Sequence, residues 1–156
     1  MSLLPLGMLL SQPEPVYHAN WNPAVKFSFL SLADLGEVAA KIILDREKHY
    51  YATYPLCSTL PISYEDIVAM IEQESGKKIE IRTKSAEEAV DNFLLRVLGG
   101  KNVQSDQRDA VENMLLYYNR HGLVGSPNIC RWLLGREPIG WREWVREELA
   151  KSPVPS

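Results

Sequence analysis

The chain has 156 residues, of which 46% are hydrophobic and 24% charged, and its formal net charge at pH 7 is −3. These values are typical of one globular domain that is long enough to bury a core. Because there is no excess of basic residues, we expect no direct contact with nucleic acid.

The N-terminal stretch MSLLPLGMLL is apolar, and Pro5 and Gly7 interrupt it. It is too short to span a membrane, and without a basic n-region it makes a poor signal peptide. We therefore expect it to pack on the body of the protein as a truncated helix or a loop. We also expect no membrane association and a cytoplasmic location, with the nucleus as an additional compartment.

The prolines and asparagines of residues 12–23 predict a loop.

A strand and a helix follow this loop. Val25, Phe27 and Phe29 alternate with polar residues and predict a half-buried strand. Ser31 and Asp34 predict the helix start, with the hydroxyl capping a free N–H and the carboxylate facing the positive helix end. For Asp34 we prefer this capping role to a catalytic one. The helix ends near residue 44, and its predicted buried stripe is Leu35, Val38, Ala39, Ile42 and Ile43.

Residues 51–57 predict a second strand, in which Pro55 favours an edge or a bulge. Ser63 predicts the N-cap of a second helix that ends at Gly76. The apolar stripe of that helix is Tyr64, Ile67, Val68 and Ile71. The alternating residues 78–82 predict a short third strand.

The remaining sequence predicts helices only. A capping box at Ser85 and Glu88 starts one helix, Gly99 ends it, and a longer helix spans residues 105–120. Ser126-Pro127 starts a short helix that closes at Gly135, and residues 141–150 form the last one. KSPVPS is a frayed tail. Two strand-to-helix joins favour parallel pairing, so we predict a thin α/β sheet followed by helices.

Several segments, in this order, resemble the NmrA-like family of atypical short-chain dehydrogenases. They are FSFLSLADLGEVAAKIILDREKHYYATYPL, LPISYEDIVAMIEQESGKKIEI and ENMLLYYNRHGLVGSPNICRWLLGREPIGWREWV. The resemblance is to the C-terminal half of the family and extends over residues 9–150. It implies an incomplete Rossmann-like α/β fold of about three strands with flanking helices, plus a helical C-terminal substrate-binding part.

The resemblance also implies a domain organisation. Residues 1–156 would form one NmrA-like domain that is truncated at its N-terminus. Residues 1–24 would be an N-terminal segment and loop, residues 25–82 a strand/helix part, and residues 83–150 a helical part.

The chain departs from the family in the parts that hold a dinucleotide. It contains no G-x-G-x-x-G motif and no Tyr-x-x-x-Lys pair. The nearest glycine pair, Gly122 and Gly125, follows a helix and is interpreted as a turn. We therefore expect no cofactor-binding residues and no cofactor for this chain alone, although full-length relatives would bind NADP or NAD.

Three residues are candidates for a substrate pocket. Trp21 lies in the loop before the first strand, and Tyr117 and His121 lie near the end of the long helix. For His121 the alternative is a structural role as a cation at the negative end of the helix, and for Tyr117 it is contact with a partner. No catalytic residue can be assigned. No His or Cys has the spacing of a metal ligand, so we expect no metal site.

The two cysteines and the C-terminal tryptophans are interpreted structurally. Cys57 and Cys130 are expected to be separate buried thiols. Trp132, Trp141 and Trp144 are expected in the core, the alternative being an exposed patch where a missing half would dock.

Four hypotheses for function remain. The first is a partial oxidoreductase or redox sensor, related to NAD(P)-linked enzymes, that keeps a small-molecule cleft and needs a complementary chain for turnover. The second is a regulatory module that binds a protein partner, or itself, through an exposed sheet edge. The third is a cofactor-independent isomerase or cyclase. The fourth is an incomplete gene model, in which Met1 is an internal methionine of a longer reading frame.

Overall fold

The computed structural model describes residues 6–99 and 104–151. Its strands form two small sheets. β1 (Val16–Ala19) pairs in parallel with β4 (Glu80–Thr83), and β2 (Lys26–Phe27) pairs antiparallel with β3 (Ile62–Ser63). An isolated parallel bridge joins Phe27 to Leu123 on the other side of β2.

Helices make up most of the described chain. The α-helices are α1 (Leu6–Leu10), α2 (Leu32–Leu44), α3 (Tyr64–Ser75), α4 (Ala86–Leu98), α5 (Ser105–His121), α6 (Asn128–Leu134) and α7 (Trp141–Lys151), and one 3₁₀ turn spans Arg46–His49. Among these helices, none combines the length and hydrophobicity needed to cross a membrane.

The main core lies where α1, α3 and α7 meet. Leu10, Ile67, Ile71 and Val145 are almost fully buried there, and Trp141 and Trp144 pack edge to face beside them. Two smaller clusters stabilise the rest of the molecule. One joins α4 to α5 around Val90 and Leu115, and the other joins α2 to α6.

The helix caps follow local sequence rules. Ser31, Ser63 and Ser85 cap α2, α3 and α4, and the last two form complete capping boxes with an acidic residue three positions on. Gly76 and Gly99 end α3 and α4 in the left-handed conformation. These predicted helix boundaries are confirmed.

The predicted strand at residues 51–57 is wrong. This segment has no strand pairing, and none of the backbone N–H or C=O groups of residues 53–57 hydrogen-bonds to another described residue. The composition suits a strand, but a strand needs a partner. The extended backbone is therefore left with open hydrogen-bonding groups.

The predicted loop at residues 12–23 is wrong in its middle, because β1 lies there. Its partner β4 is more than sixty residues further on, and local turn signals carry no information about such pairing. The strand predicted around Phe27 is shorter than expected and pairs antiparallel with β3. Among the described residues, the β1–β4 pair and the isolated bridge between Phe27 and Leu123 have the predicted parallel arrangement.

The face of helix α2 that is buried in the structure differs from the predicted apolar stripe. Of the predicted buried residues, Val38 is buried and Ile42 half-buried, whereas Leu35, Ala39 and Ile43 are exposed. The inward face instead carries Asp34, which is fully buried. Polar contacts of Asp34, described below, fix the helix in this rotation.

The predicted buried cysteines are confirmed, because Cys57 and Cys130 are both buried and free. Trp141 and Trp144 lie in the core as expected, but Trp132 is 65% exposed. The start of the N-terminal segment and the tail after Lys151 lie outside the described residues. The predicted truncated domain stays a prediction.

Candidate functional site

A cavity of about 480 Å³ opens between α4 and α5, near the carboxyl ends of the parallel strands β1 and β4. Parallel strands place their carboxyl ends at one edge, where α/β proteins commonly bind ligands. Asn20 directly follows β1 and lines the cavity, and α4 begins soon after β4. The volume is within the range of small-molecule pockets.

Apolar side chains form most of the cavity wall. Ala86 and Val90 of α4 face Leu115 and Leu116 of α5. Val90 and Leu115 also belong to the cluster that holds the two helices together, so this wall is a rigid part of the fold. A ligand here would exchange water for apolar contacts on two sides.

Two amide side chains supply the polar groups of the wall. Oδ1 of Asn119 accepts a hydrogen bond of 2.7 Å from the backbone N–H of Asn22, which fixes the direction of the Asn119 amide. No described residue accepts a hydrogen bond from Asn119 Nδ2. Asn20 lines the same cavity, and its Oδ1 is buried without a hydrogen-bond partner in the described chain.

The charged groups of the cavity are largely paired with one another. Arg108 of α5 contacts Asp91 of α4 at 2.7 Å and Glu112 at 3.1 Å. The hydrogen bond to Asp91 raises the pKa of the Arg108 guanidinium, which stays charged and engaged. Glu87 also lines the cavity, so two carboxylates and one guanidinium surround it.

The three predicted pocket residues are not gathered in this cavity. Trp21 packs against the α4–α5 cluster that forms the cavity wall, and its ring lies 5.2 Å from that of Phe27. Tyr117 and His121 lie together on an exposed face of α5, with ring centroids 4.7 Å apart, and neither lines the cavity. Their assignment as pocket residues stays a prediction.

Sequence reasoning missed the cavity residues on α4 and α5. Asn20 and Asn119 are about a hundred positions apart, and nothing in their neighbourhoods distinguishes them from surface amides. The β1–β4 pairing places Asn20 at a strand end, but that pairing is visible only in the structure.

Asp34 is the most heavily engaged buried polar residue. Its carboxylate accepts hydrogen bonds from Ser58 Oγ at 2.6 Å and from the Ile139 backbone N–H at 2.8 Å, and it forms an ion pair with Arg136 at 3.0 Å. The interpretation that capping explains Asp34 fully is therefore wrong, although its backbone N–H does bond to Ser31. The carboxylate fastens α2 to the segment before α7.

The outward face of α2 is apolar throughout. Leu32 and Ile43 are 59% and 71% exposed, and Gly36, Ala39 and Ala40 lie exposed between them. The charged residues Asp34, Glu37 and Lys41 instead pair toward α6 and its following loop. A helix normally shows the reverse arrangement, so this face is a candidate contact surface.

Neither the thiols nor a metal cluster offers a second reactive site. Burial raises the pKa of Cys57 and of Cys130, so neither thiol is an activated nucleophile. Within residues 6–99 and 104–151 no group of His, Cys, Asp or Glu side chains has the arrangement of a metal site.

Comparison with known proteins identifies the fold. No family model matches the chain, and no curated protein sequence matches it. Solved structures do match. Citrobacter sp. triphenylmethane reductase complexed with NADP(H) is 20% identical, and the match covers 85% of this chain and 44% of the reductase with a TM-score of 0.61.

Two further solved structures have a similar fold. The NADPH-dependent quinone oxidoreductase QOR2 from Escherichia coli is 16% identical, with 92% of this chain and 49% of that one covered and a TM-score of 0.60. NmrA, a negative transcriptional regulator in complex with NAD, is 15% identical, with 88% and 44% covered and a TM-score of 0.53. The chain thus spans about half the length of the structures it matches.

The neighbours include NmrA itself, so the predicted resemblance to NmrA-like proteins is confirmed at the level of the fold. The predicted class, an incomplete Rossmann-like α/β fold rich in helices, is confirmed as well.

Proposed function

We propose that this chain is the small-molecule-binding part of an NmrA-like redox protein and has no dinucleotide site of its own. The complete protein would be an NAD(P)-linked oxidoreductase or a redox sensor. The observation that supports this function best is the preformed, largely apolar cavity between α4 and α5. The fold is shared with proteins solved with NADP(H) or NAD, and the sequence lacks the glycine-rich loop that would hold such a cofactor.

A cavity-filling variant tests the binding site. In Ala86→Phe the ring would occupy the cavity, so the fluorescence increase of the neutral dye Nile red on binding should fall at least fivefold. Ala110→Phe is the matched control, because Ala110 is exposed on α5 and does not line the cavity. Equal dye binding by both variants would contradict the proposed site.

The proposed absence of a dinucleotide site is tested with NADPH. The tryptophan signal in near-UV circular dichroism should show one cooperative thermal transition, because Trp141 and Trp144 are packed in the core. NADPH at millimolar concentration should leave its midpoint unchanged. A midpoint that rises with NADPH concentration would mean that the chain binds the dinucleotide.

A second candidate function, docking on a protein partner, is favoured by the apolar face of α2. This helix leads through the 3₁₀ turn into residues 53–57, whose backbone hydrogen-bonding groups are open. A partner that fits must supply both a β-strand and an apolar surface. An α/β protein supplies both. The match to this chain leaves more than half of each neighbouring structure uncovered, and this supports the choice of an α/β partner.

Light scattering and dye binding on the purified chain test this docking function. A monomer that binds 1-anilinonaphthalene-8-sulfonate, with binding reduced by Ile43→Lys but not by the control Leu95→Lys, whose side chain is also largely exposed, would support an absent α/β partner. A stable dimer that Ile43→Lys dissociates would instead make a second copy the occupant. If Ile43→Lys changed neither property, the face would not be a docking surface.

A further inference from the structure

The cavity between α4 and α5 has features that specify the chemistry of its ligand. We propose that it selects a neutral, ring-shaped molecule that carries a carbonyl oxygen, and that Asn119 Nδ2 donates a hydrogen bond to that oxygen. This inference rests on the proposed function, because it concerns the same cavity.

The direction of the Asn119 amide is the first step. Its Oδ1 is occupied by the Asn22 N–H at 2.7 Å, and a backbone N–H can only donate. The oxygen must therefore point toward Asn22, and the NH₂ group must point away from it. With no acceptor for Nδ2 among the described residues, Asn119 offers a donor to the cavity that it lines. A ligand group that meets it must be an acceptor.

The charges around the cavity are the second step. The positive charge of Arg108 is offset by Asp91, which contacts Nη1, and by Glu112, which contacts Nε, so this guanidinium attracts an anion only weakly. The carboxylates of Glu87 and Glu112 lie at the same wall and would repel one. A neutral carbonyl is thus favoured over a carboxylate, although both are acceptors.

The shape of the wall is the third step. Ala86 and Val90 of α4 and Leu115 and Leu116 of α5 line the cavity, and the small side chains of Ala86 and Ala89 leave room on the α4 side. A flat ring buries much apolar area against such a wall with little loss of conformational entropy. The volume of about 480 Å³ admits two or three fused rings.

Three ligands that share one tricyclic ring system test the proposal, with dissociation constants measured by equilibrium dialysis at pH 7. They are 9-fluorenone, which has the carbonyl, fluorene, which lacks it, and 9-fluorenecarboxylate, which is an anion. We expect 9-fluorenone to bind about tenfold more tightly than fluorene, the effect of one well-placed hydrogen bond in an apolar site, and the carboxylate to bind most weakly.

The variant Asn119→Asp isolates the donor. Asp keeps an oxygen for the Asn22 N–H and replaces the NH₂ group by a second oxygen, so the preference for 9-fluorenone over fluorene should disappear. Asn113→Asp makes the same change at an exposed position of α5 outside the cavity and should keep the preference.

Each outcome is decisive. Equal binding of 9-fluorenone and fluorene to the unmodified chain, with both lost in Ala86→Phe, would overturn the carbonyl assignment and leave the cavity as a binding site. Tightest binding of the carboxylate would overturn it too. If none of the three bound, or Ala86→Phe bound them unchanged, the proposed site itself would fail and this inference with it.

Discussion

At the scale of single residues, Asp34 connects more of the molecule than its position at a helix start suggests. Its carboxylate joins Ser58 to Arg136 and the Ile139 backbone, which come from two segments that are distant in sequence. The capping role of Ser31 follows from the sequence, because a cap depends on four neighbouring residues. The burial of Asp34 does not, because its partners lie 24 to 105 positions away.

Replacing Asp34 should therefore destabilise the fold. In Asp34→Ala the Ser58 hydroxyl, the Ile139 N–H and the Arg136 guanidinium lose their common partner, and we expect the free energy of unfolding to fall by about 3 kcal/mol. Urea unfolding measures this change. Asp45→Ala, at the exposed other end of α2 with only a surface pair to Lys48, should lose less than about 0.5 kcal/mol. Equal losses would mean that the buried contacts contribute nothing.

Two glycines with positive φ allow a comparison. Gly135 is in the left-handed conformation, and Gly122, with ψ −159, lies in another region of positive φ. Gly122 has φ +63 and Gly135 has φ +71, but a Cβ on Gly122 would overlap the Lys26 carbonyl oxygen, while one on Gly135 would meet no atom within 4 Å. Gly135→Ala should cost about 1 kcal/mol from backbone strain alone. Gly122→Ala should cost clearly more, because it also separates Leu123 from β2. Similar melting temperatures for the two variants would contradict this close approach.

At the scale of elements, prediction from the sequence succeeded for the helix positions and for the strand at residues 78–82, which is β4, but it missed β1 and wrongly placed a strand at residues 51–57. The helices are specified by local caps and by apolar spacing, so α3, α4 and α5 lie where expected. β1 forms because it pairs with the distant β4, although its local sequence predicts a loop. Residues 53–57 have the composition of a strand but no pairing partner, so they form no strand. The buried face of α2 was mispredicted because it depends on contacts of Asp34 with residues that are distant in sequence. The cavity was beyond prediction because it depends on how α4 and α5 pack.

The contact between α3 and α7 should respond to pH. Glu74 of α3 forms ion pairs with Arg142 and Arg146 of α7, and the hydrogen bond from Arg146 lowers the pKa of the Glu74 carboxyl. A carboxyl whose pKa is lower in the folded state stabilises it above the unfolded pKa, and this stabilisation is lost as the pH falls through the folded value.

The variant Glu74→Gln should therefore differ from the unmodified chain at pH 7 and approach it at pH 3. Midpoints of thermal unfolding between these pH values measure the difference. Glu65→Gln, at an exposed position in the first turn of the same helix with no ion pair among the described residues, is the control and should differ much less from the unmodified chain, because it loses only the interaction with the helix dipole. A constant difference between Glu74→Gln and the unmodified chain would exclude the titration of Glu74 as its cause.

At the scale of the whole molecule, one core holds the two ends of the described chain together. Leu10 of α1 is 1% exposed and packs in the same cluster as Val145 of α7. Leu10→Ala should lower the free energy of unfolding by about 3 kcal/mol and weaken the near-UV signal of the neighbouring tryptophans. Met8→Ala, on the same helix but 69% exposed, should change neither property appreciably. An unaffected tryptophan signal in Leu10→Ala would show that α1 does not belong to this core.

The meeting of α1 and α7 also has a consequence for biosynthesis. A nascent chain emerging from the ribosome can pack Leu10 against α3 early, but it cannot complete this core until Val145 has been made. Helices α3 and α4 can form earlier, but their apolar faces stay exposed to solvent until the rest of the chain has been translated. Folding of this protein should therefore be completed after translation, and its newly made intermediates should be clients for chaperones that cover exposed apolar helices.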